Sequence, residues 1–154
     1  MTHVRIRELR RRDRDAVIAL DALHTGTQQR AYWTRLFRAF LAPGHADSRI
    51  GVVAELGGDL VGFLLAEVRE GEFGSEPCGW ILEVGVQPAL SRAGVASRLL
   101  DEATTRLAAL GIATVRTMVR RTNVPVLTFF RTNGFSGGPY VQLERALPPE
   151  DSDA

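Results

Sequence analysis

The stretch LSRAGVASRLLDEA, Leu90–Ala103, places one glycine, Gly94, among small residues at the point where a helical pattern begins. A strand-to-helix turn can carry small side chains for packing alone. The same turn also aims the free N–H groups and the positive end of the helix dipole at whatever lies beyond it, which favours a bound phosphate. By itself, this turn leaves both roles open.

Hydrophobic periodicity predicts the elements on either side of the turn. Alternating residues predict strands at His3–Leu9, Ile50–Leu56, Leu60–Val68, Gly79–Val86, Ile112–Val119 and Phe135–Leu147. Apolar residues at helical spacing predict helices from Arg12 to Thr25, Arg30 to Leu41, the quoted turn to Gly111, and Asn123 to Asn133. The order β-α-α-β-β-β-α-β-α-β predicts an α/β (α+β) fold with a mixed sheet of six to seven strands and helices on both faces.

Length and composition are those of one soluble globular domain, which we expect over residues 1–147, followed by a flexible acidic tail over 148–154. A net charge of +1 gives no broad field for nucleic acid or an anionic membrane. No stretch has the apolar length of a membrane span or a secretory signal. The single Cys78 cannot form an internal disulfide, so we expect a protein of the reducing cytoplasm. Cys78 and the scattered histidines give no metal-ligand spacing, so we expect no metal.

Glu83 is an unexpected carboxylate in GWILEVGV, a strand that the order of elements places centrally, beneath helices. An ionised carboxylate in such a place must find a partner, lie at a wet cleft or take up a proton. One interpretation is a buried ion pair with Arg116 on the neighbouring strand. The favoured interpretation is a functional carboxylate, because carboxylates with perturbed pKa values gather in clefts.

Two segments together resemble the GNAT superfamily of acyl-CoA-dependent N-acyltransferases. VQPALSRAGVASRLLDEATTRLAALGIATV, from Val86, is similar to the family's phosphate-binding motif: arginine or glutamine, two residues, glycine, one residue, then glycine or alanine, with a long helix after it. RRTNVPVLTFFRTNGF, from Arg120, is similar to the family's asparagine-led helix that ends in Gly-Phe. The order of elements also matches the family from Val4 to Leu147.

The resemblance implies that acetyl-CoA lies between the fourth and fifth strands, which splay apart. It implies that backbone amides from Arg92 to Ser97 hold the pyrophosphate, and that the fourth strand pairs with the pantetheine arm. Asn123 would contact this arm from the other side. The cofactor-binding residues implied are Leu82, Val84, Gly85, Val86, Ser91, Arg92, Ala93, Gly94, Val95, Ala96, Ser97, Asn123 and Phe130.

Two positions depart from the family's pattern. Ser91 stands in place of the leading arginine or glutamine, although Arg92 beside it can compensate. Phe130 stands in place of the usual tyrosine, and phenylalanine cannot donate a proton. Protonation of the leaving thiolate would then fall to Tyr140, to water or to no group.

The implied function is direct transfer of an acetyl group from acetyl-CoA to a primary amine of a small molecule, peptide or protein, with Glu83 as general base. The acceptor-side candidates are Tyr32, Trp33, Glu70 and Glu72. The alternative is a non-catalytic acyl-CoA-binding sensor or assembly module with the same fold. The aromatic stripe from Trp33 to Phe40, or the edge of the final strand, leaves a homodimer open.

Overall fold

The structure, a computed structural model, describes residues 3–150. The chain divides into two compact units, with the boundary between Met118 and Val119. The single domain over residues 1–147 stays a prediction, and residues 151–154 of the predicted acidic tail lie outside the described residues. Within residues 3–150, every helix falls short of the length and apolar character that a bilayer crossing demands.

The first unit is a mixed sheet with three helices. Its strands and helices are β1 (Arg5–Glu8), α1 (Arg14–Thr25), α2 (Arg30–Phe40), β2 (Arg49–Leu56), β3 (Asp59–Arg69), β4 (Cys78–Val86), α3 (Val95–Ala109) and β5 (Val115–Thr117). The strands lie in the order β1-β2-β3-β4-β5, antiparallel except for the parallel pair β4 and β5. The predicted mixed α/β fold is confirmed, but the sheet formed by residues 3–150 has five strands rather than six to seven.

Helices cover both faces of the sheet, as predicted. Phe63 of β3 packs against Trp33 of α2, with ring centroids 5.1 Å apart. The preceding residue, Gly62, faces α3 so closely that an added Cβ would lie 3.0 Å from Leu99 Cδ1. Because successive strand residues point to opposite faces, α2 and α3 lie on opposite sides of β3.

The aromatic stripe of α2 belongs to the core. Trp33 is 0% exposed and Phe37 is 4% exposed, and both pack with Val53 and Phe63 of the sheet. The stripe that the sequence left open as a dimer contact therefore packs mainly within the chain, and its members Leu36 and Phe40 are partly buried. Burying such large rings against a sheet contributes several kcal/mol to folding, on the order of 2 to 3 for each ring.

The second unit contains α4 (Val124–Thr132), which begins as predicted. The Asn123 Oδ1 accepts a hydrogen bond from the Val126 N–H at 3.4 Å, and a proline stands in the first turn, where its missing N–H costs nothing.

The final strand predicted at Phe135–Leu147 is wrong, because residues 136–150 contain neither helix nor strand. Gly137, Gly138 and Pro139 interrupt the start of this segment, and proline cannot donate to a strand ladder. Three of its apolar side chains are exposed: Val141, Leu143 and Leu147. Alternating apolar and polar residues predict a strand here, but a strand also needs a neighbouring strand to pair with. Within the described chain, no strand pairs with this segment.

Candidate active site

A β-bulge in β4 ends the pairing of β4 with β5. The register of β4 against β3 shifts between Leu65 and Ala66, so that Leu82 is an extra residue on β4. The parallel pairs of β4 with β5 end where Ile81 lies opposite Thr117. The Thr117 hydroxyl donates to the Ile81 carbonyl at 3.0 Å and closes this pairing.

The bulge also explains why β5 is short. The strand covers Val115–Thr117, whereas Ile112–Val119 was predicted. Since a bulge bends its strand and increases the local twist, β4 and β5 separate beyond Ile81. We call Leu82–Val86 the open edge of β4, because among the described strands only β3 pairs with this stretch.

Backbone groups of Val84 and Val86 face this open edge. The Gln87 N–H donates to the Val61 carbonyl at 2.8 Å, so the pair Gly62–Val86 between them is a non-hydrogen-bonded one. The N–H and C=O of Val86 therefore point away from β3, and those of Val84 do so two residues earlier. Amides on the open edge can pair with an extended chain, as the resemblance implies.

His24, near the end of α1, reaches the open edge. Its Nε2 lies 2.7 Å from the Val86 carbonyl oxygen, and because a carbonyl only accepts, this nitrogen carries the proton and donates. Sequence reasoning missed this residue. Val17, Asp21 and His24 are spaced i, i+4, i+7, which places them on one helix face, and the burial of Val17 and Asp21 marks that face as inward.

The turn after β4 exposes the N-terminus of α3. Residues 91–94 are exposed, and Gly94 has a φ of 79°, a left-handed conformation that favours glycine. Since α3 begins at Val95, the N–H groups of Val95, Ala96 and Ser97 have no acceptor within the helix. With the exposed Arg92 beside them, these amides form a cradle of positive charge that suits an anion.

Glu83 lies on the open edge, half-buried beneath α2. The Tyr32 hydroxyl donates to Glu83 Oε1 at 2.7 Å. Burial raises the pKa of Glu83 above its ordinary value, the hydrogen bond from Tyr32 opposes this, and the negative charge of Asp21 adds to it. Burial also raises the pKa of Tyr32, and the hydrogen bond to Glu83 raises it further. Glu83 therefore takes up a proton more readily than an exposed glutamate does.

Arg116, the ion-pair partner that the sequence suggested for Glu83, lies opposite Trp80 in the register of β4 and β5. This position is three residues before Glu83 and on the other side of the bulge. The structure instead brings Glu83 together with Tyr32, a residue that sequence reasoning assigned to the acceptor side.

Asp21, a second residue that sequence reasoning missed, fixes the helix that carries Tyr32. Its side chain is buried, and its Oδ2 accepts a hydrogen bond from the indole Nε1 of Trp33 at 2.9 Å. Trp33 thus lies in the core, whereas the sequence placed it on the acceptor side. The indole N–H needs a partner when it is buried, and this need explains the carboxylate on the inner face of α1.

The remaining sequence-predicted residues lie in three places. Glu70 and Glu72 are exposed in the loop between β3 and β4. In the second unit, Phe130 is buried between Phe129 and Phe135, with ring centroids 5.0 and 4.9 Å away, and Tyr140 is 51% exposed. Within residues 3–150, no group of three or more His, Cys, Asp or Glu side chains could hold a metal ion.

Solved structures of several acetyltransferases have the same fold. The aminoglycoside 6'-N-acetyltransferase AAC(6')-Ih from Acinetobacter baumannii is 16% identical, with a TM-score of 0.77 over 95% of this chain and 100% of that one. The aminoglycoside N-acetyltransferase AAC(6')-Iy in complex with CoA is 17% identical, with a TM-score of 0.82 over 95% and 96%. Glucosamine-6-phosphate N-acetyltransferase from Arabidopsis thaliana is 18% identical, with a TM-score of 0.73 over 95% and 99%.

At these identities the structural likeness shows the fold alone. A comparison with curated protein sequences gives no match. The model of the acetyltransferase (GNAT) family, however, matches residues 6–135, which include the bulge in β4, the turn at Gly94 and α4. The chain therefore belongs to the GNAT family of acetyltransferases.

Proposed function

We propose that this protein transfers an acetyl group from acetyl-CoA to a primary amine. The observation that carries the proposal is the continuity of the chain: Glu83 lies on the open edge of β4, and eight residues after this edge ends at Val86 the chain reaches the turn at Gly94. Family membership supports the same reaction, because it predicts an acyl-CoA in such a position.

Residues of the first unit fit the two chemical parts of acetyl-CoA. The N–H groups of Val95, Ala96 and Ser97, with Arg92 nearby, suit a pyrophosphate. The C=O of Val84 and the N–H and C=O of Val86 suit the amides of a pantetheine arm. In the second unit, the Asn123 side chain caps α4.

Glu83 would act as the general base. A primary amine is mostly protonated near pH 7 and must lose a proton before it attacks. Glu83 takes this proton, directly or through one water. The neutral nitrogen then bonds to the thioester carbon, the carbon–sulfur bond breaks, and the nitrogen loses a second proton as the amide forms, which balances the proton that the thiolate takes up. The Val84 N–H, which faces the open edge, would stabilise the negative charge that develops on the carbonyl oxygen.

The leaving thiolate needs no strong acid. A thiol has a pKa near 8.5, so its thiolate leaves tolerably well near neutral pH. Phe130 has no hydroxyl to offer, so the proton would come from Tyr140 or from water.

The acceptor is proposed to be a small-molecule amine. Neighbours of the same fold are named for acetylation of aminoglycosides and of glucosamine 6-phosphate, which supports this class over a peptide or protein amine. Tyr32 is half-buried beside Glu83, and Glu70 and Glu72 would attract a cationic amine from the loop before β4.

The second candidate function is a non-catalytic acyl-CoA-binding module. Phe130 and Ser91 favour it, because each lacks a group that the family's pattern supplies. Glu83 argues against a binding module, since mere binding of acyl-CoA does not need a half-buried carboxylate whose pKa is raised.

The test is calorimetry with acetyl-CoA and CoA on the wild type, Gly94→Glu and Gly94→Ala. An added Cβ at residue 94 meets no atom within 4 Å, so the two variants share the same backbone strain and differ in the length and charge of the rest of the side chain. We expect binding by the wild type and by Gly94→Ala, and loss of binding by Gly94→Glu. Equal binding by all three would rule out the turn as the pyrophosphate site, and no binding by the wild type would exclude both candidate functions.

Catalysis is then tested with a panel of small amines, using the wild type and Glu83→Gln. Turnover that depends on Glu83 supports the acetyltransferase. Binding of acetyl-CoA without turnover of any amine, or turnover indifferent to Glu83, would favour the binding module or a different base.

A further inference from the structure

Tyr32 packs against the core where it meets Glu83. It lies in the first turn of α2, beside Trp33, whose ring is wholly buried and whose indole N–H is tied to Asp21. The rings of Tyr32 and Trp33 meet edge to face, with centroids 5.4 Å apart. The core therefore fixes the direction in which the Tyr32 hydroxyl points, and it points at Glu83 Oε1.

The groups around Glu83 leave Tyr32 a distinct role. The negative charge of Asp21 on α1 acts on Glu83, and the Tyr32 hydroxyl on α2 donates to it. On β3, the residue paired with Glu83 is the uncharged Leu65. The Tyr32 hydroxyl carries a single proton, and it donates this proton to Glu83 Oε1. Tyr32 is thus unsuited to protonate the leaving thiolate in place of the missing family tyrosine.

We propose that Tyr32 is a positioning residue, whose hydroxyl holds Glu83 Oε1 so that Glu83 Oε2 is left to accept the proton of the acceptor amine. This inference rests on the proposed function, since it assigns a second residue to the same site. The hydrogen bond also stabilises the ionised carboxylate against its burial. Without it, Glu83 would hold a proton up to a higher pH, and a protonated carboxyl cannot act as a base.

The first experiment is steady-state kinetics of Tyr32→Phe, which keeps the ring and removes the hydroxyl. We expect kcat to fall roughly 10- to 100-fold, the effect of losing one hydrogen bond to a charged group, with little change in the KM for acetyl-CoA. The acid limb of the kcat/KM profile moves to higher pH. Thr34→Val removes a hydroxyl from the same helix and should change neither kcat nor the pH of the acid limb.

A double-mutant comparison separates positioning from a general structural role. In the Glu83→Gln background, Tyr32→Phe should have almost no further effect on kcat, because the base that it positions is absent. An equal loss in both backgrounds would overturn the proposal. So would a pH profile of Tyr32→Phe that matches the wild type.

The second measurement does not depend on turnover. The 13C resonance of the Glu83 carboxyl, identified by its loss in Glu83→Gln, is followed by NMR as a function of pH. In Tyr32→Phe the pKa of Glu83 should rise above the wild-type value, and an unchanged or lower pKa overturns the proposal. If the wild type acetylates no amine, the proposed function fails, while this titration still decides whether Tyr32 controls Glu83.

Discussion

Asp13 and Glu83 are two carboxylates that are shielded from solvent to different degrees, and their pKa values shift in opposite directions from the ordinary values. Asp13 lies in the turn between β1 and α1 and is 5% exposed. Arg7 donates to both of its oxygens at 2.8 Å, and the Arg10 N–H donates at 2.7 Å. Burial pushes the pKa of Asp13 up, but these hydrogen bonds outweigh it, and the pKa lies below its ordinary value.

Glu83 has a neutral partner instead. Its hydrogen bond comes from a phenol, and a nearby charge that acts on it is the carboxylate of Asp21. Arg7 also donates to Glu55 at 2.6 Å, so one guanidinium shared by two carboxylates holds β1 against β2 and the turn. A carboxylate that is paired with a cation and hydrogen-bonded stabilises the fold, whereas one without a cationic partner exchanges a proton more readily.

The largest expected effect is on turnover, through Glu83→Gln. Loss of a general base lowers rates by roughly 10² to 10⁴. The fold should not suffer, because the amide oxygen still accepts from Tyr32 and a poorly compensated charge is removed. The measurements are kcat/KM with a responsive amine and denaturant unfolding. Wild-type turnover in Glu83→Gln would contradict a role as general base, and much easier unfolding would mean that Glu83 stabilises the fold as Asp13 does.

The converse variant is Asp13→Asn, which should unfold easily and react normally. Removing one partner of a buried ion pair costs about 3 kcal/mol here, the lower end of the usual range, because Glu55 still compensates Arg7. Denaturant unfolding measures the loss, and kcat per folded molecule should match the wild type. Asp15→Asn is the control, since the Asp15 side chain is 72% exposed and its pairs with Arg14 and Arg30 are screened by water.

The pH dependence of stability sharpens the contrast, because the two carboxylates contribute with opposite signs. The pKa of folded Asp13 is lowered, so its stabilisation is complete above the ordinary aspartate value near 3.9 and is lost as the pH falls through the folded pKa. The pKa of folded Glu83 is raised, so its contribution is complete below about 4.3 and is lost as the pH rises through the folded pKa.

Unfolding free energies measured over a pH series should therefore show two distinct differences from the wild type. The deficit of Asp13→Asn shrinks in acid. The stability of Glu83→Gln relative to the wild type grows as the pH rises from acid towards neutrality. A pH-independent difference for either variant would mean that the assigned partners do not set its pKa.

The parts of this site that the sequence predicted are local in the chain. The turn at Gly94 is visible as small residues where a strand pattern changes to a helix pattern, and Glu83 stands out as one charge in an apolar run. Both features depend on neighbours within a few residues. The order of elements through α4 follows from the same local periodicity, and it is confirmed.

The parts that the sequence missed depend on distant contacts. Tyr32 meets Glu83 across 51 residues, and His24 meets Val86 across 62. Such contacts follow from how α1 and α2 pack on the sheet, which no local pattern records. The length of β5 is set by a bulge in its neighbour β4, and the predicted strand at Phe135–Leu147 failed because alternation does not supply a partner.

The smallest expected effect tests the open edge of β4 through His24. The His24 imidazole donates a hydrogen bond to the Val86 carbonyl, which is proposed to accept one from the pantetheine arm. CoA binding must therefore replace the hydrogen bond from His24 with one from the arm. In His24→Ala that carbonyl is released, and we expect CoA to bind about 2- to 10-fold more tightly by calorimetry, the range of one net hydrogen bond. His45→Ala, an exposed histidine remote in sequence, is the control. Weaker binding by His24→Ala would mean that the imidazole itself contacts the ligand, and the open edge would then include α1 as well as β4.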